Sequence, residues 1–68
     1  MISKTQEMIE KHTTDRKFAK DLAELLKENG ITYFDKLLTI DLKEIGRIKG
    51  LSKPAFDIIR KIREEHGI

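Results

Sequence analysis

The stretch IGRIKGLSKPAFDII, residues 45–59, decides how this chain folds. It places two glycines, a proline and three cations among six aliphatic or aromatic residues. Ser52 is a suitable helix cap, and Pro54 then falls in the first helical turn, where N–H groups have no intrahelical acceptor. The apolar residues that follow recur at helical spacing: Ala55, Ile58, Ile59 and Ile62. The stretch therefore predicts a tight basic elbow (residues 48–54) that leads into an amphipathic helix.

Helix caps predict further helices ahead of the elbow. A capping box of Ser3 and Gln6 opens a first helix that extends to about His12. Thr13 or Thr14 caps a second helix, whose apolar stripe is Phe18, Leu22, Leu25 and Leu26. This second helix is expected to end where a glycine can take the left-handed conformation, at Asn29-Gly30.

Two short helices are expected between Gly30 and the elbow. Thr32 is expected to cap the third helix, and Asp41 the fourth. Glu44, at the third position of the fourth helix, can accept a hydrogen bond from the backbone N–H of Asp41. No stretch alternates as a β-strand would. The sequence therefore predicts an all-α bundle of four or five helices, in one domain spanning residues 1–68. The apolar positions of residues 1–13 are sparse, so this first segment is expected to be a loosely docked helix.

Composition excludes several classes of protein. At 68 residues the chain is near the lower size limit for a domain held by a hydrophobic core alone. It contains no cysteine, so it has no disulfide and no thiolate metal ligand. The longest aliphatic runs are far too short to span a membrane, and the first residues are unlike a secretory signal. We expect a cytoplasmic protein with no membrane partner.

Basic charge is concentrated around the elbow. The net charge of +2 hides an uneven distribution. Residues 43–63 carry seven cations against two anions, whereas residues 1–42 carry seven cations against eight anions. Such asymmetry favours a polyanionic partner. The alternative is a charged face that only keeps the domain soluble.

The residues of the elbow also resemble a known motif. The spacing Ile45-x-x-Ile48-x-Gly50-Leu51-Ser52, followed by Ala55, resembles the helix-hairpin-helix motif, with Ser52 at its second glycine and the alanine one position early. A similar arrangement, Gly30-Ile31-Thr32, precedes the third helix, where flanking carboxylates indicate a mainly structural role.

A longer similarity runs from Leu26 to Glu64. It resembles the N-terminal domain of archaeal and eukaryotic strand-exchange recombinases, and the C-terminal domain of the bacterial RNA polymerase α subunit has a comparable layout. This resemblance implies a SAM-like fold with one helix-hairpin-helix motif and a degenerate second one. It also implies either DNA binding through the backbone or protein docking.

A phosphate-binding mechanism can be stated from the residues. The N–H groups of Gly50, Ser52 and Lys53 at the start of the last helix are expected to hold a phosphate, aided by the Ser52 hydroxyl and by the ammonium groups of Lys49 and Lys53. None of the side chains is positioned to read base edges, so the expected activity is binding of double-stranded DNA without sequence preference. If about four to six phosphates are neutralised, the salt slope is about −4 to −5. The predicted DNA contacts are Arg47, Lys49, Gly50, Ser52, Lys53, Arg60 and Lys61.

The sequence also bears on three other functions: protein docking, self-association and catalysis. A protein-docking module would present Phe56, Tyr33 or the N-terminal segment to a transcription, replication or repair component. Self-association through the first helix would make the protein a weak homodimer rather than a monomer. An enzyme is not expected, because no nucleophile has a base held by a third group, and a chain this short has little room for a pocket holding an extruded base. With only His12 and His66 as histidines, no metal site and no cofactor are predicted.

Overall fold

Five α-helices, joined by short turns, make up the part of the chain that the computed structural model describes, residues 2–68. They are α1 (Lys4–Ile9), α2 (Arg16–Glu28), α3 (Phe34–Thr39), α4 (Leu42–Gly46) and α5 (Lys53–Glu65). No strand occurs within residues 2–68, so the prediction of an all-α protein is confirmed. None of the helices in this range has the length and the run of apolar residues needed to cross a bilayer.

Three of the predicted caps are in place. Ser3 Oγ accepts a hydrogen bond from the Gln6 N–H at 3.1 Å and opens α1. Asp41 opens α4 by accepting from the Lys43 N–H at 3.0 Å. Ser52 Oγ accepts from the N–H of Ala55 at 3.3 Å and opens α5. Each cap satisfies a first-turn donor that has no partner within its own helix.

Two other caps were predicted wrongly. Asp15, not Thr13 or Thr14, caps α2 by accepting from the Phe18 N–H at 3.0 Å. The Thr13 hydroxyl oxygen instead accepts from the Asp15 N–H at 3.1 Å and shapes the turn before α2. The third helix also begins later than expected.

Thr32 does not cap α3. The N-cap of α3 is Tyr33, which makes no side-chain capping bond. The first helix is shorter than predicted as well, because α1 ends at Ile9 and the chain turns over residues 10–12.

One hydrophobic cluster holds the five helices together. Its buried members are Met8, Ile9, Ala19, Leu22, Leu26, Ile31, Leu37, Ile45, Ala55, Ile59 and Ile62. The helix α1 is part of this cluster, because Ile9 has no exposed surface and α1 contacts α2, α3 and α5. Residues 4–9 are therefore an integral part of the core, and not the loosely docked helix expected from the sequence.

Polar contacts tie the end of α5 to distant parts of the chain. Arg63 Nη1 donates to the carbonyl oxygens of Leu37 at 2.9 Å and Ile40 at 2.7 Å, which lie at the C-terminal end of α3. His12 Nε2 lies 2.9 Å from Glu65 Oε1 and joins the turn after α1 to the last turn of α5. These contacts place the α1–α2 turn and the C-terminal end of α3 beside the last turns of α5.

Candidate functional site

The elbow is built by a helix end, a glycine turn and a helix start. α4 ends at Gly46, and the Leu51 N–H donates to the Ile48 carbonyl at 3.2 Å to close the turn. Gly50 has φ +91°, in the left-handed region that a residue with a Cβ rarely adopts. A Cβ at Gly50 would meet no atom within 4 Å, so the need for glycine comes from the backbone conformation and not from crowding.

Within residues 2–68, the three backbone donors predicted to hold a phosphate have no partner, and neither does the Lys49 N–H. The N–H groups of Gly50, Ser52 and Lys53 donate to no backbone or side-chain acceptor among residues 2–68, and all three residues are exposed. Ser52 and Lys53 stand at the start of α5, where the helix dipole adds partial positive charge. Pro54 supplies no N–H. The elbow thus offers unpaired donors in a positive local potential.

The Ser52 side chain is partly committed. Its oxygen accepts from the Ala55 N–H at 3.3 Å, so one lone pair caps α5. The hydroxyl hydrogen of Ser52 has no acceptor among the described residues and remains able to donate. The predicted role of this hydroxyl is compatible with its capping role.

Lys49 and Lys53 are the cations that lie on the elbow itself. Both are exposed, and the ion pairs found in residues 2–68 include neither of them. Arg47 caps the C-terminus of α4, and its Nη1 lies 3.5 Å from Glu44 Oε1. This exposed pair is weak, but it offsets part of the positive charge of Arg47.

Arg60 and Lys61 lie away from the elbow. They follow Lys53 by seven and eight residues on α5, a displacement of about 10–12 Å along the helix axis. Both line a shallow surface depression together with Asp57 and Glu64. Of the predicted contacts, the structure therefore gathers Lys49, Gly50, Ser52 and Lys53 at the elbow, and leaves Arg60 and Lys61 among carboxylates on the outer face of α5.

The guanidinium of Arg63 is committed to bonds within the protein, so its positive charge is less available to a ligand. It is one of the seven cations counted in residues 43–63, but its guanidinium is half-buried and bonded to the carbonyl oxygens of Leu37 and Ile40. The number of cations that an external anion can contact is therefore smaller than the seven counted from the sequence.

The turn before α3 has a similar backbone but different surroundings. Gly30 has φ +87°, and the Ile31 N–H donates to the Leu26 carbonyl at 2.9 Å. Ile31 is buried, whereas Tyr33 at the start of α3 is 76 % exposed. With Glu28 ahead of this turn and a helix of only six residues after it, the turn has neither the charge nor the helix length of the elbow.

Within residues 2–68, no group of three or more His, Asp or Glu side chains is arranged to hold a metal ion.

The chain matches no family model, no curated protein and no solved structure. The chemistry of the elbow is therefore argued from its own atoms.

Proposed function

We propose that this protein binds double-stranded DNA, without strong sequence preference, by holding a backbone phosphate at the elbow. The observation that supports the proposal most directly is the set of unpaired N–H groups of Gly50, Ser52 and Lys53, which belong to exposed residues and lie beside two lysines that form no ion pair within residues 2–68. Phosphate oxygens are strong acceptors, and a helix N-terminus combines free donors with partial positive charge. A phosphate at this point satisfies donors that are otherwise left to water.

Nucleic acid fits this arrangement better than a single small anion. Lys49 and Lys53 flank the amides and can reach phosphates adjacent to the one held by the backbone, which only a repeating polyanion offers. Contacts to phosphate carry no sequence information by themselves, so binding is expected to be similar for different sequences. The resemblance of residues 45–59 to a helix-hairpin-helix motif supports the same reading.

The salt dependence of binding measures how far the interface extends. If only Lys49 and Lys53 make ionic contacts, the slope of log K against log salt on duplex DNA is about −2. If Arg47, Arg60 and Lys61 also contact phosphates, the slope approaches about −4 to −5. Replacement of Arg60 and Lys61 by glutamine distinguishes the two cases, since it makes the slope less negative by about 2 only in the second.

A pair of charge reversals tests the site. We expect Lys49→Glu/Lys53→Glu to weaken binding of a fluorescent duplex by about tenfold or more at low salt, because both ionic contacts become repulsive. Fluorescence anisotropy at low and moderate salt measures this change. The matched control is Lys11→Glu/Lys36→Glu, which alters the net charge equally but at exposed positions in the α1–α2 turn and in α3.

The control decides what a loss of binding means. The control variant is expected to bind within about threefold of the original protein, because its lysines belong to the α1–α2 turn and to α3 and contribute no atom to the elbow. Equal losses in both variants would show that only net charge matters and would remove the elbow from the proposal. Unchanged binding in Lys49→Glu/Lys53→Glu would contradict it directly. Amide shift changes confined to residues 48–54 on addition of duplex would locate the contact independently.

Protein docking is the second candidate function, and the exposure of Tyr33 favours it. A tyrosine that is 76 % exposed is a common anchor in protein interfaces. Tyr33 lies before α3 and not on the elbow, so a protein bound there need not displace DNA. A partner of fixed stoichiometry, recovered after nuclease treatment and lost with Tyr33→Ala, would support docking. Recovery that is unaffected by Tyr33→Ala would argue against this surface.

A further inference from the structure

A small groove opens between α2 and the elbow. It has a volume of about 190 Å³, and its apolar lining comes from both sides: Phe18, Leu22 and Leu25 of α2, with Leu51 and Ala55 opposite. This volume is below the 300–1,000 Å³ typical of sites for larger ligands, so the groove has room for about one ring system. The short length of the chain predicted little room for such a pocket. The groove forms because the fold brings together α2 and residues 50–55, which are more than twenty positions apart in the sequence.

The groove and the elbow share residues. Gly50 and Ser52, whose N–H groups are unpaired, also line the groove. Any group bound in the groove therefore lies next to the donors that we assign to phosphate. A nucleotide has this combination of parts, since a planar base is attached to a charged phosphate.

The charges around the groove orient such a nucleotide. Lys49 and Lys53 lie on the elbow side, whereas Asp21 lies on the α2 side, with its Oδ2 3.2 Å from Lys17 Nζ. A phosphate is attracted to the lysines of the elbow more than to the α2 side, where the charges of Lys17 and Asp21 offset each other in part. A base is uncharged, and its amino group can donate to a carboxylate, as cytosine N4 does to Asp or Glu. The favourable orientation places the phosphate on the elbow and the base toward α2.

We propose that this groove receives one unpaired base of the nucleic acid whose phosphate is held at the elbow. The inference rests on the proposed function and names its preferred substrate class, which is DNA that carries an unpaired nucleotide. The face of the base packs against Phe18, and its edges meet the aliphatic side chains of Leu25 and Leu51. An unpaired base is the least costly to extrude, whereas a paired base in continuous duplex loses its stacking and pairing first.

Three DNA probes test the inference: a continuous duplex, the same duplex with one unpaired cytosine, and the same duplex with an abasic nucleotide at that position. We expect the unpaired cytosine to increase affinity about tenfold over the other two probes, as expected for one stacked base. Leu25→Phe fills the groove and should abolish this preference, while affinity for continuous duplex stays within about twofold. Leu38→Phe, at another half-buried leucine outside the groove, is the matched control and should keep the preference.

Each outcome bears on the inference. Equal affinity for the three probes, with salt-dependent duplex binding intact, would overturn the base site and leave the proposed function standing. Tighter binding of the abasic probe and the cytosine probe alike would show that flexibility of the DNA, and not the base, is recognised, and would also overturn it. No binding of any probe at low salt would end both proposals. Should Leu25→Phe fail to fold by circular dichroism, Phe18→Leu, which removes the aromatic face, replaces it and should reduce the preference.

Discussion

At the scale of single residues, Gly50 and Ser52 serve the elbow in different ways. Gly50 supplies a left-handed backbone conformation that would cost an L-residue about 1–2 kcal/mol. Ser52 caps α5 through its oxygen, and loss of such a cap costs about 1 kcal/mol. Substitution at either position therefore changes stability as well as any ligand contact. Lys49 and Lys53 are exposed and unpaired, so their replacement probes binding with little effect on the fold.

Thr5 carries a buried polar atom without a partner. Its side-chain oxygen is buried and has no hydrogen-bond partner among the described residues, and the residue is 3 % exposed. An unpaired buried hydroxyl costs about 1–3 kcal/mol of desolvation. Thr5→Val replaces that hydroxyl by a methyl group of similar shape. We therefore expect Thr5→Val to raise the free energy of unfolding by about 1 kcal/mol, as measured by urea denaturation.

An exposed threonine provides the comparison for Thr5. Thr14 is exposed, and its side chain makes no hydrogen bond among the described residues, so Thr14→Val should leave stability within about 0.5 kcal/mol. A loss of stability in Thr5→Val larger than that in Thr14→Val would mean that the Thr5 hydroxyl has a stabilising partner.

At the scale of helices, local sequence identified some caps and missed others, because a suitable residue near a boundary does not by itself cap the helix. Ser52 and Asp41 directly precede their helices, and both cap as expected. Thr32, the suitable residue nearest to α3, instead leaves the N-cap position to Tyr33. Before α2, Thr13, Thr14 and Asp15 are all competent caps in succession. The choice among them depends on where packing against the core begins, which local sequence does not specify. α2 therefore starts after Asp15.

The candidate site could be predicted only in part, because some of its features depend on neighbouring residues and others depend on the tertiary fold. The local sequence predicts the elbow, its glycine Gly50 and its lysines Lys49 and Lys53, because these residues lie within a few positions of one another. It does not predict the role of Arg63, since this role depends on contact with carbonyl groups of α3 more than twenty residues earlier. The groove beside the elbow is likewise formed by α2 and residues 50–55, and only the tertiary fold brings them together.

Arg63 is expected to stabilise the packing of α3 against α5. Its guanidinium donates to two carbonyl oxygens at the end of α3, at 2.9 and 2.7 Å, and hydrogen bonds from a charged group contribute about 1.5–3 kcal/mol. Arg63→Met keeps most of the aliphatic stem but removes the donors. We expect it to lower the free energy of unfolding by about 2 kcal/mol, measured by thermal or urea denaturation.

Lys61 offers a control on the same helix. It is exposed and forms none of the ion pairs found in residues 2–68, so Lys61→Met should change stability by no more than about 0.5 kcal/mol. If Arg63→Met were as mild as Lys61→Met, the two bonds to α3 would contribute little beyond what water supplies.

At the scale of the whole molecule, α1 shows how a helix with few apolar residues can still belong to the core of a small domain. The sequence suggested a loosely docked helix because Met8 and Ile9 are its few apolar residues. Thr5 was counted as polar, yet it is buried and completes a stripe at i, i+3 and i+4 with those two residues. Since Met8 and Ile9 are used within the fold, of the residues that prompted the prediction of self-association only Ile2, 47 % exposed, remains on the surface.

Ile9 is therefore expected to be essential to the stability of the whole domain. It has no exposed surface, and truncation of a buried isoleucine costs about 2–5 kcal/mol. A chain of 68 residues has a total stability of only about 3–10 kcal/mol. Ile9→Ala should then lower the melting temperature by about 10–25 °C. Ile2→Ala, at the exposed isoleucine of the same segment, should lower it by no more than about 4 °C. Equal, small shifts in the two variants, followed by circular dichroism during heating, would show that α1 is not held in the core.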